Sequence, residues 1–253
     1  MRFASLGSGS QGNALLVSAG ATTLMVDCGF GLKDCGTRLA RLGLEPDGID
    51  AILVTHEHGD HLGGVARFAL RYGTPVWLTH GTARHLEAQD GLALHHIEAY
   101  ARFAIGDLDI APYPVPHDAS EPAQFILGDG ARRLGILTDA GSVTPHMLEM
   151  LSGCEGLFLE CNHDEALLRA SDYPPSLIER VASDWGHLSN AAAAELLRQL
   201  AGKHLQHVVA AHLSQQNNRP ELARDALGAA LGCAAEWIAV ADQAGGLDWR
   251  QLI

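Results

Sequence analysis

The sequence lacks an apolar run long enough for a signal peptide or a membrane span. Residues Met1–Gly20 carry one arginine and then a polar Gly/Ser loop, and no stretch approaches the roughly 20 apolar residues that a spanning helix needs. Its five cysteines include no C-x-x-C pair, so a zinc finger or a disulfide framework has little support. We therefore expect buried free thiols, a cytoplasmic location and no membrane partner.

Basic residues are also scarce. Seventeen Lys and Arg side chains accompany 30 Asp and Glu side chains, which gives a formal net charge of −13 with histidine taken as neutral. This balance argues against a protein that coats nucleic acid through a broad basic face. It remains compatible with a local site that binds a phosphate through metal ions, because a pair of dications offsets about four negative charges.

The order of predicted elements indicates an α/β fold. The 253 residues, 47% of them hydrophobic, suffice for one large core. The chain opens with short strands such as Thr22–Val26 and later alternates strands with helices such as Asn190–Leu200. We also predict a helix over 82–89 and a last strand over 237–240. This order in both halves predicts two sheets packed face to face with helices outside.

The densest cluster of polar side chains is the heptapeptide THEHGDH at 55–61, directly after an apolar strand. A loop at the end of a strand is not confined to one face. His56 and His58 can therefore converge on one point while Asp60 and His61 converge on another. Imidazole and carboxylate ligands suit zinc, iron or manganese, and this spacing supplies two ligands to each of two ions.

Two metal ions need more ligands than this loop offers. His117, Asp139 and His212 are single polar residues that each follow an apolar strand. Strand ends at one edge of a sheet present such side chains to a common cleft. Asp139 is the natural bridge, because each of its two oxygens can bind one ion. The predicted cofactor is therefore a pair of divalent ions, Zn or Mn, with Fe as a further option.

These motifs resemble the metallo-β-lactamase superfamily, and within it the YycJ-like (WalJ/VicX) branch, which is related to nucleic-acid-processing members. The matching stretches are SLGSGSQGN, THEHGDHLGG, His117, TDAG, ECNHD, GHLSN and AHLSQQNN, spread over residues 5–218. The resemblance implies one domain over 1–253, a four-layer αβ/βα sandwich of two mixed sheets flanked by helices. About fifty residues separate Asp139 from His187, which leaves no room for a β-CASP insertion.

The resemblance also implies a role for each ligand-type residue. One metal ion would be held by His56, His58 and His117. The other would be held by Asp60, His61 and His212, with Asp139 bridging the two. Asp27 resembles the acid that steadies the metal loop from behind; the alternative for this residue is a turn cap before Gly29.

His187 is the candidate catalytic residue. It is not needed as a ligand, and in related phosphodiesterases a histidine near this position protonates the leaving oxygen. Asp184, Glu160 or Asp164 could tune its pKa, and the sequence does not choose among them. The alternative is that His187 merely lies beside the cap of the helix that follows.

Five further residues are candidates for contact with the substrate. Ser8 and Asn13 lie in a glycine-rich loop whose backbone N–H groups could bind a phosphate, although a plain tight turn is the alternative. Asn162 and His163 follow a strand in the same way as the ligand candidates. Ser189, in GHLSN, is a candidate substrate contact and also a candidate helix cap.

The resulting functional hypothesis is a dinuclear-metal phosphodiesterase that uses a bridging hydroxide as nucleophile. The YycJ-like resemblance implies a 5′-exonuclease acting on DNA, with RNA as a further nucleic-acid partner. One alternative is hydrolysis of a small phosphodiester or a thioester. Another is a regulatory binding protein that keeps the fold without turnover.

Overall fold

The structure, a computed structural model, describes residues 1–86, 90–202 and 204–253. Within these residues the chain forms two seven-stranded sheets with helices against them. The strands are β1 (Arg2–Gly7), β2 (Ala14–Ala19), β3 (Thr22–Val26), β4 (Ala51–Leu53), β5 (Val76–Thr79), β6 (Leu94–Ile97), β7 (Phe103–Ile105), β8 (Leu108–Pro114), β9 (Ala123–Gly128), β10 (Arg133–Leu137), β11 (Gly156–Glu160), β12 (His207–Ala211), β13 (Ala239–Val240) and β14 (Leu247–Gln251). The helices are α1 (Leu32–Arg41), α2 (Gly59–Leu62), α3 (Val65–Tyr72), α4 (His80–Ala83), α5 (Pro145–Leu151), α6 (Glu165–Arg169), α7 (Pro175–Val181), α8 (Asn190–Leu200) and α9 (Pro220–Leu231).

The two sheets share one plan. Sheet A has the order β14-β1-β2-β3-β4-β5-β6, and sheet B has the order β13-β12-β11-β10-β9-β8-β7. In sheet A the pairs from β14 to β3 are antiparallel and those from β3 to β6 are parallel. In sheet B the pairs from β7 to β10 are antiparallel and those from β10 to β13 are parallel. Both sheets are therefore mixed, as expected.

Strands of the parallel parts are apolar on both faces because both faces are covered. In β3, Leu24 and Val26 enter the core between the sheets, whereas Met25 packs on the outer side of sheet A. In β11, Phe158 enters the same inner core, and its neighbours pack against the helices outside sheet B. This arrangement is the predicted four-layer αβ/βα sandwich. Among the described residues, no helix has both the length and the apolar character to cross a bilayer.

Two local predictions differ from the structure, and one strand was not predicted. The predicted last strand, 237–240, is a strand only at Ala239–Val240, and β14 follows it. β14 has the polar sequence LDWRQ, so its strand conformation comes from pairing with β1 and not from a visible alternation. The predicted helix over 82–89 is helical at its start, within α4 (His80–Ala83), and its residues 87–89 lie outside the described residues.

Strand ends of the parallel parts meet along one edge of the molecule. Asp27 follows β3, Asp139 closely follows β10, Glu160 ends β11, and His212 follows β12. Asp27, Asp139 and His212 have left-handed backbones, with φ of 61°, 54° and 53°, and they are the non-glycine residues of this kind in the described part of the chain. Such a backbone is unfavourable for most residues and tends to occur at functional sites. The chain thus turns sharply at three of the predicted site residues.

Candidate metal centre

The heptapeptide THEHGDH crosses from sheet A to the short helix α2. Its backbone is held by neighbouring segments, since the Asp60 carbonyl accepts a hydrogen bond from Asn13 N at 2.8 Å and the His61 carbonyl accepts one from Cys28 N at 2.8 Å. Gly29 lies so close that an added Cβ would be 1.8 Å from the Asp60 carbonyl oxygen. A side chain at position 29 would push the loop away, so the glycine is needed for this approach.

The first group of ligand candidates consists of His56, His58 and His117, each of which offers a ring nitrogen within 4.8 Å of the others. His117 Nε2 is 3.2 Å from His58 Nδ1. The other nitrogen of His117, Nδ1, donates to the Gly186 carbonyl at 3.0 Å, which leaves Nε2 free to face the group. Burial and the neighbouring imidazoles lower the pKa of His56 well below its usual value, so this ring is neutral and able to bind a cation.

The second group consists of Asp60, His61 and His212, again within 4.8 Å of one another. Asp60 Oδ2 is 3.2 Å from His212 Nε2 and 3.4 Å from His61 Nε2. Burial opposes the charged form of Asp60, but hydrogen bonds from the two histidines outweigh it and lower the pKa of the carboxyl. Asp60 is therefore a carboxylate at neutral pH, as a metal ligand must be.

Asp139 lies between the two groups. Its Oδ2 is 2.9 Å from His61 Nε2, and its Oδ1 is 3.3 Å from His212 Nδ1. It also forms a cluster of its own with His56 and His61. His56 Nε2 is buried and makes no hydrogen bond within the described part of the chain, and Asp139 Oδ2 makes none of good geometry despite its 2.9 Å distance from His61 Nε2. Buried polar atoms normally have a partner, so divalent metal ions fit these imidazole and carboxylate donors.

Asp27 supports the loop from behind. Its carboxylate accepts hydrogen bonds from Thr55 N and Thr55 Oγ1, both at 2.8 Å, and its Oδ2 is 2.8 Å from His61 Nδ1. Burial disfavours protonation of His61, but the Asp139 and Asp27 carboxylates outweigh it and raise the pKa of that ring. The Asp27 side chain therefore orients an imidazole, and it makes no hydrogen bond to the Gly29 turn among the described residues.

His187 lies at the same centre and pairs with Glu160. Its Nδ1 is 2.7 Å from Glu160 Oε1 and 3.2 Å from Asp139 Oδ1. The other oxygen of Glu160 accepts hydrogen bonds from Ala140 N and Leu188 N, so both carboxylate oxygens have hydrogen-bond partners. Burial lowers the pKa of His187, but the Glu160 and Asp139 carboxylates reverse this and raise it to about 10. Of the three acids left open by the sequence, Glu160 is therefore the one that contacts His187.

The five predicted substrate contacts lie behind the ligand candidates, and each is at most 8% exposed. Ser8 Oγ accepts a hydrogen bond from His212 N at 2.9 Å, and Asn162 Nδ2 donates to the His212 carbonyl at 3.1 Å. Asn13 Nδ2 lies 3.2 Å from Asp60 Oδ2, and it also donates to the Gly9 carbonyl of its own loop. These three side chains thus position ligand candidates.

The other two of the five lie at the start of α8. Ser189 caps this helix, because its Oγ accepts a hydrogen bond from Ala192 N. Its neighbour in space, His163, is 2% exposed, and His163 Nδ1 has no hydrogen-bond partner within the described residues. Neither side chain lines the cleft at the metal centre.

That cleft has a volume of about 170 Å³. Besides ligand candidates and His187, it is lined by Ser10, Asp118, Gly186 and three residues of α7, namely Leu177, Arg180 and Val181. The sequence analysis missed α7 as a wall of the site, because a seven-residue helix without buried residues is too short for a clear periodic signal. A larger cavity of about 550 Å³ lies against β7–β10, and none of the ligand candidates lines it.

Comparison with known proteins agrees with this geometry. Residues 22–212 match the beta-lactamase superfamily domain. The chain is 34% identical over 228 residues to the exodeoxyribonuclease WalJ of Streptococcus pneumoniae, covering 88% of this chain and 85% of that protein. It is also 34% identical to the exodeoxyribonuclease YycJ of Bacillus anthracis, covering 88% of this chain and 86% of that protein.

The fold has a close match among solved structures. The metallo-beta-lactamase fold protein YhfI from Bacillus subtilis superposes with a TM-score of 0.77 over 98% of both chains, at 15% sequence identity. At that identity the likeness concerns the fold alone. The sequence matches and the superposition together show that the chain belongs to the metallo-β-lactamase superfamily and, within it, to the YycJ-like branch.

Proposed function

We propose that this chain is a dinuclear-metal phosphodiesterase that removes nucleotides from the 5′ end of DNA. The observation that carries the proposal is the position of Asp139. Its two oxygens contact His61 and His212 of the second group, and it also forms a cluster with His56 of the first group. Its Oδ1 is also 3.2 Å from His187 Nδ1. Two ion sites and a proton donor are thus within reach of one phosphate, which is the arrangement that phosphodiester hydrolysis requires.

In this proposal one ion would be held by His56, His58 and His117. The other would be held by Asp60, His61 and His212, and Asp139 would be shared by both. Such ions lower the pKa of water and polarise a phosphoryl oxygen. We propose zinc or manganese, with iron as a further option, because the donors are imidazole and carboxylate without thiolate.

The protein's own contribution is the proton for the leaving oxygen. His187 lines the cleft, and although burial lowers its pKa, the Glu160 and Asp139 carboxylates raise it to about 10, which favours the protonated ring. Its Nδ1 faces Glu160, so its Nε2 is the atom that can donate to substrate. The departing alkoxide accepts this proton, and Glu160 stabilises the charged ring beforehand and keeps its orientation.

Two further properties belong to the same proposal. We take residues 1–253 as one metallo-β-lactamase domain without a β-CASP insertion, because the segment between Asp139 and His187 forms β11, α5, α6 and α7. A cytoplasmic location remains a prediction from cysteine usage. All five cysteines are free thiols, and burial raises the pKa of Cys154 to about 11.

DNA is proposed as substrate because the curated relatives that cover most of the chain are named exodeoxyribonucleases. The small cleft favours a second candidate, hydrolysis of a small phosphodiester. A volume of about 170 Å³ admits one phosphate and part of one nucleotide, and the net charge of −13 offers little attraction for a long polyanion.

A degradation assay separates these candidates. Single- and double-stranded DNA and RNA, each labelled at one end, are incubated with the metal-loaded protein and, in parallel, with His187→Ala. We expect stepwise shortening of 5′-phosphorylated DNA by the wild-type protein, and much slower shortening by His187→Ala. Hydrolysis of a bis-aryl phosphate with intact DNA would support the small-diester function instead. A purified protein that retains no divalent ion would contradict both.

A further inference from the structure

Trp185 is an exposed aromatic side chain beside the metal centre. It is 60% exposed, whereas most large apolar side chains of the chain are buried. The next two residues, Gly186 and His187, both line the cleft. Trp185 itself is outside the lining, so this exposed residue stands at the rim of the cleft, between α7 and His187 in the chain.

The backbone around Trp185 is held from both sides. The Trp185 carbonyl accepts a hydrogen bond from Asp118 N at 3.0 Å, and His187 N donates to the Val181 carbonyl at 2.9 Å. Gly141 approaches so closely that an added Cβ would be 2.3 Å from the carbonyl carbon of Asp184. A well-fixed backbone that presents a large exposed ring has little entropy to lose when a flat ligand stacks on it.

Arg180 is the one lysine or arginine among the described residues that line the cleft. Its Nε pairs with Asp118, and its two terminal nitrogens make no hydrogen bond to the described part of the chain. The side chain is 59% exposed. It can therefore offer a forked pair of donors to a phosphate without first breaking another contact.

From this juxtaposition we propose that Trp185 is a stacking platform for a nucleobase at the 5′ end of a single-stranded substrate, and that Arg180 binds the phosphate beside that base. The inference rests on the proposed function and names its substrate more closely. A duplex end covers its base faces by stacking, so a terminal base must be unpaired to reach an indole on the rim. Stacking on an aromatic ring tolerates every base, so binding should depend little on sequence.

The test is equilibrium binding, by fluorescence anisotropy, of a 3′-labelled, 5′-phosphorylated single-stranded oligodeoxynucleotide. It uses metal-loaded protein that carries His187→Ala, which slows cleavage, and the length of the probe is checked after each measurement. In this background we expect Trp185→Ala to weaken binding about tenfold or more. Trp185→Phe should stay within about threefold of the parent, because a smaller ring still stacks. Trp237→Ala is the matched control, since Trp237 is 43% exposed and neither it nor its neighbours in the chain line the cleft.

A second probe locates the contact. An oligonucleotide whose two 5′-terminal nucleotides are abasic should bind the parent about as weakly as Trp185→Ala binds the intact probe. The same abasic probe should then be insensitive to Trp185→Ala. If the indole had only a structural role, Trp185→Ala would weaken binding of both probes alike. The metal content and the thermal unfolding of each variant are measured to distinguish misfolding from a loss of stacking.

The inference is overturned if Trp185→Ala binds the intact probe as tightly as its parent, or if the parent shows no measurable binding. The exonuclease proposal fails separately, namely if the wild-type protein binds this probe but does not shorten it. A tenfold loss that appears with single-stranded DNA and is absent with a blunt duplex would support the preference for an unpaired end.

Discussion

The two sheets supply their share of the candidate metal centre in different ways. Sheet A contributes one loop, residues 55–61, in which four ligand candidates follow one another on a single backbone. Sheet B contributes His117, Asp139, Glu160 and His212, which come from the ends of four different strands. The first set can be recognised as a motif. The second set is brought together by sheet topology alone.

The register of the strands explains how Asp139, Glu160 and His212 come together. β10 and β11 pair in parallel with Leu137 beside Leu159, and β11 and β12 pair with Glu160 beside Ala211. Neighbouring strands are about 4.8 Å apart, so residues just beyond these pairs fall within reach of one another. A ligand in the loop thus depends on local geometry, whereas a ligand of sheet B depends on the whole sheet.

The largest effect on activity should come from Asp139→Asn, because Asp139 contacts both His61, in the loop of sheet A, and His212, at a strand end of sheet B. We expect a loss in kcat/KM on the order of 10³-fold, together with loss of bound metal measured by mass spectrometry. Asn tolerates a left-handed backbone, so the fold should survive and the thermal unfolding profile should change little. Asp109→Asn, at an exposed position of β8, is the control. Full metal occupancy in Asp139→Asn would contradict the bridging role.

The next effect is that of His187→Ala. This side chain is not needed to hold metal, so we expect kcat to fall by about 10²-fold with metal content unchanged. His96 is an exposed histidine on β6, and His96→Ala should leave kcat and metal content unchanged. Loss of metal from His187→Ala would mean that this histidine is itself a metal ligand, together with Asp139 and His212.

Asp27→Asn tests the loop of sheet A from behind. It removes the charge that faces His61 Nδ1 and weakens the acceptor for Thr55, so metal affinity measured by chelator competition should fall about tenfold. The loss should concern the ion held by Asp60, His61 and His212 more than the other. Equal loss of both ions would indicate that the loop responds as one unit.

The smallest expected effect is a shift in the pH dependence of kcat. The Glu160 carboxylate helps to raise the pKa of His187 to about 10, so the protonated acid persists through neutral pH and is lost only as the pH rises through that value. Glu160→Gln keeps an acceptor for His187 but removes the charge. The alkaline limb of the kcat profile should then move to lower pH by about one unit. An unchanged limb would exclude His187 as the group that sets it.

Most of the fold, and all the residues of the candidate ligand groups, could be predicted from the sequence, because apolar strands ending in polar residues are local patterns. What could not be predicted depends on contacts between distant segments. The choice of Glu160 over Asp164 is one example, since Asp164 turns away to cap α6. The burial of Ser8 and Asn13 beneath the ligand candidates is another. Arg180 was missed because its helix is only seven residues long and buries none of them.

The left-handed backbones at Asp27, Asp139 and His212 have a consequence for engineering. A glycine at any of these positions would adopt the left-handed backbone without a steric cost. A redesign guided by stability alone would therefore favour glycine at these positions and remove residues of the centre first. Thermostabilised variants of this fold should keep these three positions unchanged, and their gains should be sought in the outer helices.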